Sequence, residues 1–273
     1  MSELAAKQDL LHQNLTSLGR LLVAYSGGVD STFLAAAGRR ALGDRCIAVT
    51  AVSPSLSERE KQAARSLAKS LGWNHVMVET HELDREAYAR NSSDRCYWCK
   101  TELFEVLAPL AKRHRAPIAV GTNVDDLGDY RPGLAAAGEN DVLTPLVDAE
   151  LTKADVRRLS ADYGLPTADK PASPCLASRF AYGIRVTPEG LRRVDRAEEA
   201  LRALGFEVLR VRDHGELARV EVPAAEIPRA ARLRGRIGEE LRSLGYVYVT
   251  LDLIGFRSGS GNEVLLPPSM RRP

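Results

Sequence analysis

The run Ser26-Gly27-Gly28-Val29-Asp30-Ser31-Thr32 has the residue types and spacing of a loop that holds phosphate. It follows a short apolar stretch, Arg20 to Tyr25, and leads into a helical pattern, Asp30 to Leu42, closed by Gly43. Paired glycines let the backbone turn sharply and bring its N–H groups close to a ligand. Ser26, Ser31 and Thr32 add hydroxyls, and the start of the helix favours an anion. No Lys follows the glycines, and neither G-x-x-x-x-G-K nor G-x-G-x-x-G is present, so this is not a Walker A or a dinucleotide loop. Asp30 beside a phosphate makes electrostatic sense as a Mg²⁺ ligand or a helix cap. The plainer alternative is a Ser-Gly-Gly turn before a capped helix.

The second chemical set is the cysteines. Cys96 and Cys99 form a C-x-x-C pair, Cys175 stands alone, and Cys46 sits in an apolar run. Two thiols one turn apart at a helix start favour metal or redox chemistry. A structural zinc would want four ligands, and His75, His81 and His114 are not spaced to complete such a site. A dithiol redox pair stays open. With Cys175 as third partner, three thiolates can hold an iron–sulfur cluster with one iron left open. Cys46 reads as a buried packing residue.

Two further groups are polar. The Gly-rich stretch Gly121 to Gly133 follows the fourth strand pattern, where it would face the same cleft as the phosphate loop. In it Gly121 and Asn123 are candidate contacts to the ligand of that loop, and Asn123, Asp125, Asp126 and Asp129 can bind Mg²⁺ or orient substrate; the alternative is a solvated acidic loop. Arg210 and Arg212 alternate on one strand and so project from one sheet face. Arg257 can join them, and Arg179 lies beside Cys175. A fork of guanidiniums suits phosphate and carboxylate groups, although an Arg-rich solvated face is the alternative.

The elements that must place these residues follow from periodicity. An amphipathic helix over the first 18 residues precedes Arg20–Tyr25 as a strand. Cys46–Val52, His75–Glu79 and Pro117–Val120 read as further strands. The intervening helices span 30–42, 57–71 and 100–113, with Ser57 and Glu60 in capping-box register, and another spans Thr152–Tyr163. Strands alternating with helices imply an α/β fold with a doubly wound parallel sheet. A proline-rich stretch from Pro166 to Pro188 marks a connection to a smaller C-terminal α+β domain of order α-β-β-α-β. There a weak repeat pairs Leu201-Arg-Ala-Leu-Gly205-Phe206 with Leu241-Arg-Ser-Leu-Gly245-Tyr246, each leading into a strand. The expected domains are 1–183 and 184–273.

Composition excludes several classes. The 273 residues suit one large domain or two smaller ones, and 44% hydrophobic with 27% charged residues is ordinary for a globular protein. No run of 18 apolar residues occurs, so no membrane span is expected. Met1–Arg20 lacks a basic cluster followed by an apolar core, so a cytoplasmic protein without a secretory signal is expected. Four cysteines are too few for a disulfide scaffold. A net charge of +2, without an evident aromatic-interleaved basic platform, argues against nucleic acid as partner.

The Ser26-Gly27-Gly28-x-Asp30-Ser31 loop after a first strand resembles the PP-loop of the ATP pyrophosphatases, which have the adenosine nucleotide α-hydrolase fold. That resemblance implies ATP bound at Ser26, Gly27, Gly28, Asp30, Ser31 and Thr32, cleavage between its α- and β-phosphates, and displacement of AMP by a nucleophile. Asp129-Tyr130-Arg131-Pro132-Gly133-Leu134, Cys175-Leu-Ala-Ser-Arg179-Phe180 and Phe256-Arg257-Ser258-Gly259 narrow it. Together, and over nearly the whole chain, they resemble the LarE family of ATP-dependent sulfur transferases in nickel-pincer cofactor synthesis. The resemblance implies a pyridinium dicarboxylic acid mononucleotide substrate, Asp30 and Cys175 as catalytic residues, and Asp129, Arg131, Arg179, Arg210, Arg212 and Arg257 on the substrate. It also implies Mg²⁺, a homo-oligomer and a sulfide donor. One branch of the family sacrifices the sulfur of a cysteine at the place of Cys175; another holds a [4Fe-4S] cluster on three cysteines. The pair Cys96 and Cys99 with Cys175 matches the second. A tRNA thiolase of the same superfamily and a non-catalytic nucleotide-binding redox sensor are the competing expectations.

Overall fold

The computed structural model describes residues 2–128, 132–257 and 259–265. The elements run α1 (Glu3–Ser17), β1 (Leu21–Ala24), α2 (Val29–Leu42), β2 (Cys46–Val52), α3 (Glu58–Ser70), β3 (Asn74–Glu79), α4 (Glu86–Ala89), α5 (Arg95–His114) and β4 (Ile118–Ala119). They continue with α6 (Pro132–Glu139), α7 (Pro145–Asp148), α8 (Lys153–Asp162), α9 (Pro188–Ala203), β5 (Arg210–His214), β6 (Leu217–Glu221), α10 (Ile227–Arg232), α11 (Arg234–Ser243) and β7 (Tyr248–Leu251). Two packing units emerge: Met1–Glu82 with Cys96–Ser173, and Leu83–Arg95 with Pro174–Pro273.

In the first unit β3, β2, β1 and β4 lie side by side, all parallel. Strand alternation divides the apolar side chains between two faces. Leu21 and Val23 join a core with Leu11, Leu15, Phe33, Val156 and Leu159 from α1, α2 and α8. Leu22, Ile47 and Val49 join the opposite core with Phe104, Leu107 and Ala136 from α5 and α6. A sheet covered by helices on both faces is the doubly wound α/β arrangement expected. Because β2 and β4 flank β1, chain order reverses at β1, and the crevice beyond its carboxyl end is where such sheets bind ligands. The Ser26–Thr32 loop leaves the sheet there.

Close seating of α2 depends on small residues. A Cβ at Gly38 would lie 2.6 Å from Cys46 Sγ and 3.3 Å from Leu21 Cδ2. Cys46 is thus a packing residue, 4% exposed, and burial pushes its thiol up to about 12.

The second unit holds a three-stranded sheet, β5 antiparallel to β6 and β6 parallel to β7. Its core gathers Ala197, Leu201, Phe206, Val211, Val220, Leu241 and Tyr246. The repeat read in the sequence is real: Gly205 and Gly245 end their helices at φ +91° and +98°, and the following Phe206 and Tyr246 are buried. A Gly that adopts positive φ without a Cβ penalty ends each helix and turns the aromatic inward.

Two boundaries differ from expectation. The division in packing falls at Ser173/Pro174, and residues 83–95 belong with the second unit. Their place is set by distant partners: Asn91 Nδ2 donates to Ala181 O at 2.8 Å and Ile184 O at 3.0 Å, and Val186 N donates to Ala89 O at 2.8 Å. Helix α5 begins at Arg95, so the C-x-x-C pair occupies its first turns. The Ser57 hydroxyl does accept from Glu60 N at 3.2 Å, but the Glu60 carboxylate turns to Lys170 at 2.6 Å. An ion pair has displaced the reciprocal half of the expected capping box.

Candidate active site

The loop between β1 and α2 is organised by its own hydroxyls. Ser31 Oγ accepts from Ser26 N at 3.1 Å and lies 3.0 Å from Ser26 Oγ. Gly27 has φ +72°, where only glycine is comfortable, and a Cβ there would meet Ala64 Cβ at 3.0 Å. Gly28 is the N-cap of α2 and supplies no side-chain cap, which leaves the first-turn N–H groups for an anion. Ser31 and Thr32 are buried beneath the loop.

The segment after β4 closes on this loop. A Cβ on Gly121 would stand 2.7 Å from Ser31 N and 2.8 Å from Asp30 C, so only glycine allows the approach. Asn123 is 1% exposed and its Nδ2 donates to Asp30 Oδ1 at 3.2 Å. Asp125 Oδ2 accepts from Lys153 N at 2.8 Å, and Asp126 Oδ2 accepts from Asn123 N at 3.1 Å. Asp126 therefore holds the loop backbone, and Asp125 ties the loop to the start of α8. Asp129 and Arg131 lie outside the described residues.

Two lysines that the motifs did not flag complete the surroundings. Lys153 Nζ pairs with Asp30 Oδ2, and Lys170 Nζ donates to Gly27 O at 2.9 Å and pairs with Glu60. Two ammonium groups thus stand at a loop whose backbone already favours an anion. No local pattern announces them, because Lys153 opens α8 and Lys170 lies in an irregular segment.

Outside this loop, the second unit collects arginines around buried carboxylates. Arg179 and Glu198 are paired at 2.9 and 3.1 Å, both nearly inaccessible. Burial alone would raise the Glu198 carboxyl, but Arg179, Arg210 and Arg202 outweigh it and hold it below the ordinary range. Arg179 Nη1 also donates to Pro174 O and, at 3.1 Å, to Cys175 O. Arg212 donates to Glu221 Oε2 and Ser260 Oγ at 2.9 Å and to Ser178 O at 3.1 Å. Arg257 is bound by Glu263 at 3.0 and 3.1 Å. The Arg210 guanidinium lies 5.2 Å from the Phe256 ring, and burial first, then the neighbouring Arg179, pulls its pKa down to about 10. Each of these cations is thus positioned by groups within the unit.

Cys96 and Cys175 are exposed and Cys99 is half-buried, in contrast to Cys46. Cys96 and Cys99 belong to the first unit and Cys175 to the second. Among the described residues, no three His, Cys, Asp or Glu side chains are gathered as for a metal ion. Among them too, no helix is long and apolar enough to cross a membrane.

A parallel β3-β2-β1-β4 sheet with a Ser-Gly-Gly-x-Asp-Ser loop at its switch point defines a PP-loop domain of the ATP-utilising α/β class. Residues 4–106 match the family model described as NAD synthase. Over 267 residues the chain is 39% identical to pyridinium-3,5-bisthiocarboxylic acid mononucleotide synthase of Lactiplantibacillus plantarum, covering 97% of each protein. It is 44% identical to an uncharacterized protein of Synechocystis sp. over 96% of this chain and 99% of that protein. An uncharacterized protein of Methanocaldococcus jannaschii is 28% identical over 88% of this chain and 91% of its own length. The chain belongs to the LarE family, that of the Lactiplantibacillus synthase.

Proposed function

We propose that this protein is an ATP-dependent sulfur transferase acting on a pyridinium dicarboxylic acid mononucleotide. The observation that carries the reading is similarity to the Lactiplantibacillus synthase over 97% of each protein, joined to a loop built for polyphosphate at the sheet's switch point. ATP binds along Ser26–Ser31 with its phosphates on the α2 N-terminus. A Mg²⁺ ion on those phosphates is assigned to the Asp30 carboxylate, an oxygen donor of the kind that ion takes. A substrate carboxylate oxygen attacks the α-phosphorus, the bond to the β-phosphate oxygen breaks, and pyrophosphate leaves. A sulfur nucleophile then attacks the acyl carbon of the mixed anhydride, and AMP departs with the former carboxylate oxygen. The product is a thiocarboxylate.

Arg179, Arg210, Arg212 and Arg257, with Asp129 and Arg131, are assigned to the substrate's phosphate and carboxylates, for which the planar guanidinium is suited. The sulfur source is assigned to Cys96, Cys99 and Cys175. Their thiols are the accessible ones of the four, which fits a metal-bound role in donor type and exposure. A [4Fe-4S] cluster on those thiolates would supply a transferable sulfide at an iron with no protein ligand. A homo-oligomer fed by an external sulfide donor is part of the same reading.

The test is chemical. Chain purified without oxygen is mixed with ATP, Mg²⁺ and the mononucleotide, and pyrophosphate and the oxygen-for-sulfur mass change are followed together. Pyrophosphate release that does not depend on the mononucleotide would overturn the substrate assignment. Full iron, acid-labile sulfide and multiple turnovers in Cys99→Ser would overturn the cluster.

A further inference from the structure

Glu60, Lys170 and Gly27 form a contact chain that the loop motif does not account for. Lys170 Nζ lies 2.6 Å from Glu60 Oε2 and 2.9 Å from Gly27 O, and all three residues belong to the first unit. The two side chains are 22% and 19% exposed, so the pair is largely withdrawn from water. An ammonium offers three donors and no acceptor, so it can hold the carboxylate and the carbonyl at once.

The consequence lies in the peptide between Gly27 and Gly28. In a trans peptide the C=O and the following N–H point in opposite directions, and the described chain contains no cis peptide. A Gly27 carbonyl drawn to Lys170 therefore turns the Gly28 N–H to the other side. That N–H has one long contact, 3.4 Å to Ser26 Oγ, and it leads the row of donors at the start of α2. The alternative orientation would aim a carbonyl at the phosphates and repel them. Glycine on both sides of the bond makes the flip sterically cheap, so something outside the loop must choose the orientation.

We propose that Lys170, held by Glu60, is a positioning residue of the phosphate loop. It locks the Gly27–Gly28 peptide with its N–H toward the terminal phosphates of a nucleoside triphosphate, or toward pyrophosphate. The inference rests on the reading that this loop binds ATP. A residue of this kind acts on the β- and γ-phosphates and not on the AMP portion, which separates it from a lysine that only stabilises the fold.

The experiment uses the full chain and calorimetric titration with ATP, pyrophosphate and AMP. Losing a hydrogen bond to a charged group predicts about tenfold weaker ATP and pyrophosphate binding in Lys170→Met, with AMP changed by less than about twofold. The Gly28 amide resonance in a ¹H–¹⁵N spectrum shifts in the same variant. Glu60→Gln, which keeps the lysine, moves both readouts the same way by less, and it carries the test if Lys170→Met does not fold. Equal weakening for all three ligands with an unmoved Gly28 resonance, or unchanged ATP affinity, overturns the proposal. Wild-type chain that binds neither ATP nor pyrophosphate overturns the ATP reading itself and this inference with it.

Discussion

Replacing Arg179 by Met tests whether the buried ion pair of the second unit both supports the fold and places Cys175. Arg179 and Glu198 side chains are 3% and 2% exposed and meet through two hydrogen bonds. Removing one partner of a buried pair leaves an uncompensated charge and costs about 3–5 kcal/mol. Here Glu198 keeps Arg202 Nη2 at 3.0 Å and Val211 N at 3.3 Å, so the lower end, about 3 kcal/mol, is expected. Urea unfolding of wild type, Arg179→Met and the double variant Arg179→Met/Glu198→Met measures it. The double variant should recover most of the stability, because neither charge is then stranded. Its Cys175 should still be altered, since the Arg179 bonds to Pro174 O and Cys175 O are gone. The readout is the rate of thiol alkylation at Cys175 by peptide mass spectrometry. A single variant less than about 1 kcal/mol destabilised, or a double variant no more stable than the single, would refute the reasoning.

Other perturbations read separate parts of the molecule. Because Glu198 is held below the ordinary glutamate value of 4.5, its contribution to stability is complete above that value and is lost as pH falls through the folded pKa. The stability gap between wild type and Arg179→Met should therefore be widest near neutrality and narrow in acid, as urea midpoints across pH will show. Gly121→Ala brings a Cβ to 2.7 Å from Ser31 N, an overlap with backbone expected to cost about 1–3 kcal/mol. ATP affinity should fall with it; an unchanged melting temperature and affinity would show that the loops do not touch as described. In chain stripped of iron, Cys96 and Cys175, both exposed, should alkylate readily while Cys46 does not react until the chain unfolds, because Cys46 is 4% exposed with its thiol pushed up to about 12. Labelling of native chain followed by mass mapping checks this.

Much of the fold is local in origin and was legible for that reason. The run Leu21–Ala24 is apolar throughout and β2 is rich in β-branched residues, so both had to be buried strands, and the glycines at 43, 205 and 245 had to end helices. The phosphate loop is contiguous in sequence, so its residue types and its place before a helix sufficed to find it. The C-x-x-C pair was found on the same grounds.

What the chain alone could not express is pairing across distance. Lys170 meets Gly27 and Glu60, and Lys153 meets Asp30, only because α3, α8 and the segment after it converge on the loop. The sequence spacing put Arg210 and Arg212 on one sheet face, but it could not show that Glu221 stands against Arg212 or Glu198 against Arg179, partners that buried charge demands. Residues 83–95 joined the second unit through Asn91, whose amide bonds to carbonyls at 181 and 184. Sequence by itself determined the loop, the strand and helix periodicities and the identity of the accessible chemistry. Only the tertiary structure decided which charges are committed to one another, because a buried ion or carbonyl takes its partner from whatever element the fold brings within hydrogen-bond reach.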